Sequence, residues 1–150
     1  MTSGFLGRIA VAIDGSRCAS QALDFAIDLA KKYSSELTIL AVAPLLPAYV
    51  PTSDSWVPAG LPKGEVEYYR GIVETAVQRA QREGVSATTG VCLEGVVAEE
   101  ILSHLDRHAT NLLVLGSRGL STTKRLLLGS VSDAVAHHVR CPVLIVKPSG

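Results

Sequence analysis

The chain has 150 residues, the size of one ordinary domain, and can bury roughly 70% of the surface its unfolded form exposes without disulfide or metal staples. Fourteen Lys and Arg balance fourteen Asp and Glu, which argues against a general nucleic-acid binder, whose surface is net basic. A hydrophobic fraction of 47% with 19% charged residues excludes disorder, and no run of 18 apolar residues is present to cross a membrane. The first eight residues carry no basic, apolar leader, and Cys18, Cys92 and Cys141 form no CxxC pair. A soluble, cytoplasmic, single-domain protein spanning 1–150 is expected.

The first strand is expected at residues 9–13 (IAVAI), apolar without alternation and hence buried on both faces. Ala19, Ala22, Leu23, Ala26, Ile27 and Ala30 then recur at the spacing of one helix face, with Ser16 as its cap. A second buried strand follows at 37–43. Residues 44–64 hold five of the seven prolines (Pro44, Pro47, Pro51, Pro58, Pro62) and the single tryptophan. A connection this long is a surface excursion over the sheet end or a lid. Within it, Trp56 and Tyr49 suit a hydrophobic plug better than a stack on a base.

Tyr69, Ile72, Val73, Ala76 and Ala80 predict the next helix, closed at Gly84. Residues 86–93 make a weaker strand, with Thr88, Thr89 and Gly90 in its middle, and read as an edge. Val97, Ala98, Ile101, Leu102 and Leu105 form a third helix face. A strand at 112–115 follows, then a short helix through Val131, Ala134, Val135 and Val139 stopped before Pro142, then a last strand at 143–146. Alternating strands and helices predict a parallel, doubly wound α/β sheet with right-handed crossovers.

Ligands of such sheets collect beyond the carboxyl ends of the strands, where the order reverses. Two strand ends stand out. The first strand runs into Asp14-Gly15-Ser16, and the fourth into Gly116-Ser117-Arg118-Gly119, then nine residues, then Gly129-Ser130-Val131-Ser132. Glycines admit close approach to main-chain N–H groups, and a helix starting at Gly129-Ser130 presents such groups with a dipole that favours an anion. Arg118, Lys124 and Arg125 add positive charge, while no Asp or Glu lies between Gly116 and Ser132. Turn glycines amid solvated charge are the bland alternative. A phosphate cradle accounts for more of the pattern, although neither GxxxxGK[ST] nor GxGxxG is present.

Gly116-x-x-Gly119, nine residues, then Gly129-Ser130 resembles the ATP-binding signature of the universal stress protein family. Asp14-Gly15-Ser16, the 112–119 segment and the closing Cys141-Pro142-Val143-Leu144-Ile145-Val146 resemble family landmarks in the same order. The resemblance implies a sheet of order 3-2-1-4-5 with ATP, or ADP or AMP, at the junction of the first and fourth strands. It implies Asp14 close to the nucleoside, Val42 with Ala12 and Leu115 lining an adenine pocket, Gly116 and Gly119 about the ribose and phosphates, and Gly129, Ser130, Val131 and Ser132 as the phosphate turn; Arg118 joins the candidate site by its charge. Mg2+ would ride on the phosphates without a protein cage. Ala41 stands where many members carry a histidine, and the excursion is longer than in shorter members.

The remaining signals are weaker. Asp14 reads as a hydrogen-bond acceptor rather than a catalytic carboxylate, since fast hydrolysis needs a base, a positioned water and usually metal-bound phosphates. His104 and His108 share a helix face but lack the HExxH context, and are expected on a solvated surface. His137 and His138 sit at a helix end, and Cys18 is expected to be a small buried side chain. The wholly apolar last strand lies at an edge in the implied order, so pairing with a second copy would cover it; the resemblance implies the same homodimer. The function expected is a nucleotide-binding regulatory module of the stress response. Its rivals are a dimeric scaffold without nucleotide and a slow ATPase.

Overall fold

The computed structural model describes residues 4–44, 49–51, 53–54, 56–58, 64–118 and 128–148. Five strands form one parallel sheet: β1 (Arg8–Ala12), β2 (Glu36–Pro44), β5 (Thr88–Gly95), β6 (Leu112–Gly116) and β7 (Val143–Val146). Their spatial order is β5-β2-β1-β6-β7, which is 3-2-1-4-5 when the five are counted along the chain. The register sets Val11 beside both Ile39 and Val114, so the three central strands stack their β-branched and leucine side chains in rows. Ile9, Ile39, Leu40 and Leu113 are fully buried, as unalternating apolar strands require when helices cover both faces.

Four helices supply that cover: α1 (Arg17–Tyr33), α2 (Glu65–Arg82), α3 (Val97–Arg107) and α4 (Ser130–His138). On one face, Ala19, Ala22, Ala26 and Ala30 of α1 join Tyr69, Val73, Ala76 and Ala80 of α2 in a core with Ile9, Ile39 and Val114. The alanine stripe lets α1 lie close on the sheet. On the opposite face, Ile101 of α3 and Val135 of α4 pack with Ala10, Leu40, Val42, Leu113 and Leu115. Arg79 of α2 pairs with Asp24 of α1 and with Glu83 at 2.7 Å, tying the first two helices at their exposed side.

Two details depart from the sequence reading, and one expectation falls outside the described residues. Residues 49–51 (β3) and 56–58 (β4) pair antiparallel as a small separate hairpin within the excursion, which proline content had concealed. The side chains of Tyr49 and Trp56, and the plug proposed for them, lie outside the described residues. His104 is buried, not solvated: its ring stacks on His108 with centroids 4.1 Å apart. Burial lowers its pKa, and the charges of His108 and Arg107 lower it further.

Candidate functional site

The site is built where β1 and β6 part company at their carboxyl ends. After β1 the chain turns through Asp14, Gly15 and Ser16 into α1. Ser16 Oγ accepts the Ala19 N–H at 3.1 Å, capping the helix, and Asp14 accepts the Ser16 N–H through Oδ1 at 2.9 Å. Gly15 holds φ +85°, which favours glycine, while the Tyr68 hydroxyl above it is the end of a half-exposed side chain that can move aside.

The end of β6 is held from three sides. The Ser117 N–H donates to the Val146 carbonyl of β7 at 2.9 Å, and the Gly129 N–H donates to the Ser117 carbonyl at 2.7 Å. The buried Ser132 hydroxyl of α4 donates to the Gly116 carbonyl at 2.6 Å. Beneath them Cys18 donates its thiol hydrogen to the Val146 carbonyl at 3.3 Å, and a Cβ on Gly116 would meet the Cys18 carbonyl carbon and Sγ at 3.0 Å. Gly116 is therefore needed by α1 packing, whatever else it does. The strand tip, the α4 N-terminus and the last residue of β7 form one hydrogen-bonded unit.

Between these two turns lies a cleft of about 330 Å³, within the range of small-ligand sites. The β1 side contributes Ala12 and Asp14; β2 contributes Val42; β6 and its exit contribute Leu115, Gly116 and Arg118; and the start of α4 contributes Gly129, Ser130, Val131 and Ser132. The sequence singled out each of these. Gly119, with Lys124 and Arg125, lies outside the described residues. Gly129 caps α4 with an extended backbone and no side-chain hydrogen bond, so the first N–H groups of the helix are not taken up by a capping side chain. Asp133, the acid in that first turn, faces His137 at 3.5 Å on the exposed side.

Ala41, noted for replacing a histidine, also lines the cleft; sequence reasoning missed Ile13, Ala19 of α1, Pro44 of β2, Tyr69 of α2, and Val97 and Ile101 of α3. Each helix of a parallel α/β fold begins near the strand tips, so core-facing residues in its first turns border the cleft. That signal was available for Tyr69, Val97 and Ile101, all read only as core. Burial pushes the Tyr69 phenol above its usual pKa, and the charges of Glu65 and Asp14 push it further, so the phenol stays protonated. Burial likewise pushes the Cys92 and Cys141 thiols up, which makes them poor nucleophiles. Among the described residues no group of three His, Cys, Asp or Glu is placed to hold a metal ion.

Comparison with known proteins agrees with this architecture. A universal stress protein of Bacillus subtilis, YxiE, is 39% identical over 148 residues, covering 93% of this chain and 98% of its own. Universal stress protein UspA from Lactobacillus plantarum superposes with a TM-score of 0.81 at 22% identity, covering 94% of this chain and 97% of the other, and so shares the fold. A universal stress protein solved in complex with cAMP superposes with a TM-score of 0.69 at 27% identity, over 96% and 99% of the two chains. The sequence model of the universal stress protein family matches residues 6–147, nearly the whole length, and the chain belongs to that family.

Proposed function

We propose that this protein binds an adenine nucleotide in the cleft between β1 and β6 and acts as a regulatory module of the stress response. The observation that carries the reading is the α4 N-terminus: Gly129 opens the helix without a capping side chain, at the mouth of a cleft whose other walls are mostly apolar. Oriented N–H groups and the helix dipole suit a phosphate, and Ser130 and Arg118 border the same end. Ala12, Val42 and Leu115 supply an apolar seat for a base. The similar protein solved with cAMP binds an adenine nucleotide, which supports the same ligand class here. ATP is the proposed ligand, with ADP and AMP as its shorter forms, and Mg2+ would arrive on the phosphates.

A binding role fits better than hydrolysis. Asp14 is the one carboxylate among the described lining residues, and one of its oxygens already accepts from Ser16. β7 closes one edge of the sheet, with Val143, Leu144 and Ile145 half-buried. A second copy pairing along 143–146 would cover that edge, giving a homodimer whose surface a protein partner reads. The cysteines are unpaired, which suits the cytoplasm.

Equilibrium binding of labelled ATP tests the reading, comparing the natural protein with Gly119→Val and Gly129→Val variants that melt normally. A bulky side chain at either glycine should weaken binding at least tenfold. Equal affinity in all three, or purification free of any co-eluting nucleotide together with no binding on addition, would leave the rival scaffold without ligand.

A further inference from the structure

Five polar side chains border the cleft among the described residues: Asp14, Tyr69, Arg118, Ser130 and Ser132. Ser132 spends its hydroxyl hydrogen on the Gly116 carbonyl. Ser130 and Arg118 stand at the β6–α4 end, where a phosphate would lie. Side-chain recognition of the rest of a ligand therefore falls to Asp14 and Tyr69.

The sheet order places these two differently. Asp14 follows β1, the strand next to β6, whereas α2 packs on β2 and β5. Tyr69 accordingly stands at the β2 end of the cleft, about two strand spacings or roughly 10 Å from the β6 end. A nucleotide lying along that line, with phosphates at α4, has its sugar above β1 and its base above β2. Val42 and Pro44 of β2 line that same end.

Tyr69 is also held in place. It is 8% exposed, and its ring meets that of Tyr68 edge to face at 5.1 Å and 83°. The Tyr68 hydroxyl in turn sits over Gly15, in the turn that carries Asp14. Burial in the core restrains the Tyr69 ring, and a pre-organised donor loses little freedom on binding.

We propose that Tyr69 is a specificity-determining residue of the cleft, its phenol O–H donating to the base of a purine nucleotide. This rests on the nucleotide-binding reading above. Tyr69→Phe keeps the ring and removes only the donor, so ATP should bind about 3- to 10-fold more weakly, the worth of one hydrogen bond. Inorganic tripolyphosphate, which reports on the phosphate end alone, and ribose 5-triphosphate, which lacks the base, should bind the variant and the natural protein equally, with unchanged melting temperature.

Calorimetric titration of the three ligands into both proteins decides the matter. Unchanged ATP affinity in Tyr69→Phe would overturn the proposal, as would equal losses for ATP and tripolyphosphate, which mark a structural role. A loss shared by ribose 5-triphosphate would move the donor to the sugar and overturn the base assignment. Failure of the natural protein to bind ATP at all removes the underlying function instead, an outcome visible before the variant is made.

Discussion

Gly90, in the middle of edge strand β5, offers the sharpest test of how the α2 layer is packed. A Cβ built there would lie 2.6 Å from Val73 Cγ1 and 2.9 Å from Val77 Cγ2, closer than packed carbons tolerate. Both valines belong to α2, where one χ1 rotamer dominates, so neither rotates away cheaply. Gly90→Ala should cost about 1–3 kcal/mol of overpacking, offset by about 0.4–1 kcal/mol from the stiffer unfolded chain. The net, about 0–2.6 kcal/mol, corresponds to a fall in Tm of up to about 10 °C for a domain of this size. Val73→Ala alone should cost about 1.6 kcal/mol for its two methyl groups, plus a term for the cavity. In the double variant the new Cβ occupies space vacated by Cγ1, so the two costs should fall short of their sum by about 1 kcal/mol; the Val77 contact keeps the rescue partial. Urea denaturation of the four proteins measures that coupling. If Gly90→Ala is more stable than the natural protein, or the two changes add within about 0.5 kcal/mol, the packing argument is wrong.

Two further outcomes follow from buried polar groups. Ser132→Ala leaves the Gly116 carbonyl without its donor, and should lower stability by about 1–3 kcal/mol in calorimetry, a Tm drop of roughly 2–12 °C; an unchanged Tm would mean that bond contributes nothing. His104, whose pKa is lowered in the folded state, binds a proton more readily when unfolded, so its burial destabilises the protein as pH falls below about 6.5. His104→Phe should flatten the fall in Tm between pH 7 and pH 5, and an unaltered slope would assign that fall to other groups.

The fold was legible because its parallel strands are apolar on both faces and its helices repeat at 3.6 residues. Neither pattern depends on knowing what packs where. Ser16 was equally readable, since a cap acts on residues within its own turn: its oxygen takes the Ala19 N–H and nothing distant is involved. Signals that depend on a distant partner were read less well. The Thr88-Thr89-Gly90 stretch looked like a weak strand, yet its glycine is there because Val73 and Val77, over a dozen residues earlier, occupy the space above it. His104 misled for a different reason: it lies seven residues after Val97 and three after Ile101, on the core face of α3, and its polar side chain rather than its spacing suggested solvent.

The cleft divides along the same line. Its turns, Asp14-Gly15-Ser16 and Gly129 to Ser132, announce themselves by residue types that local backbone geometry requires. Its walls do not, because Tyr69, Val97 and Ile101 satisfy the helical core pattern as well as any residue deeper in the protein. What separates them is position along the helix: in a parallel sheet every helix starts at the strand tips, so a core residue one or two turns from the start faces the opening as well as the interior. Tyr69 is where that distinction has chemical content. An apolar side chain there would satisfy the core equally, whereas a phenol also brings a hydrogen-bond donor to the rim beside Asp14. Under the proposed reading, ligand recognition would give that donor a purpose that packing alone does not.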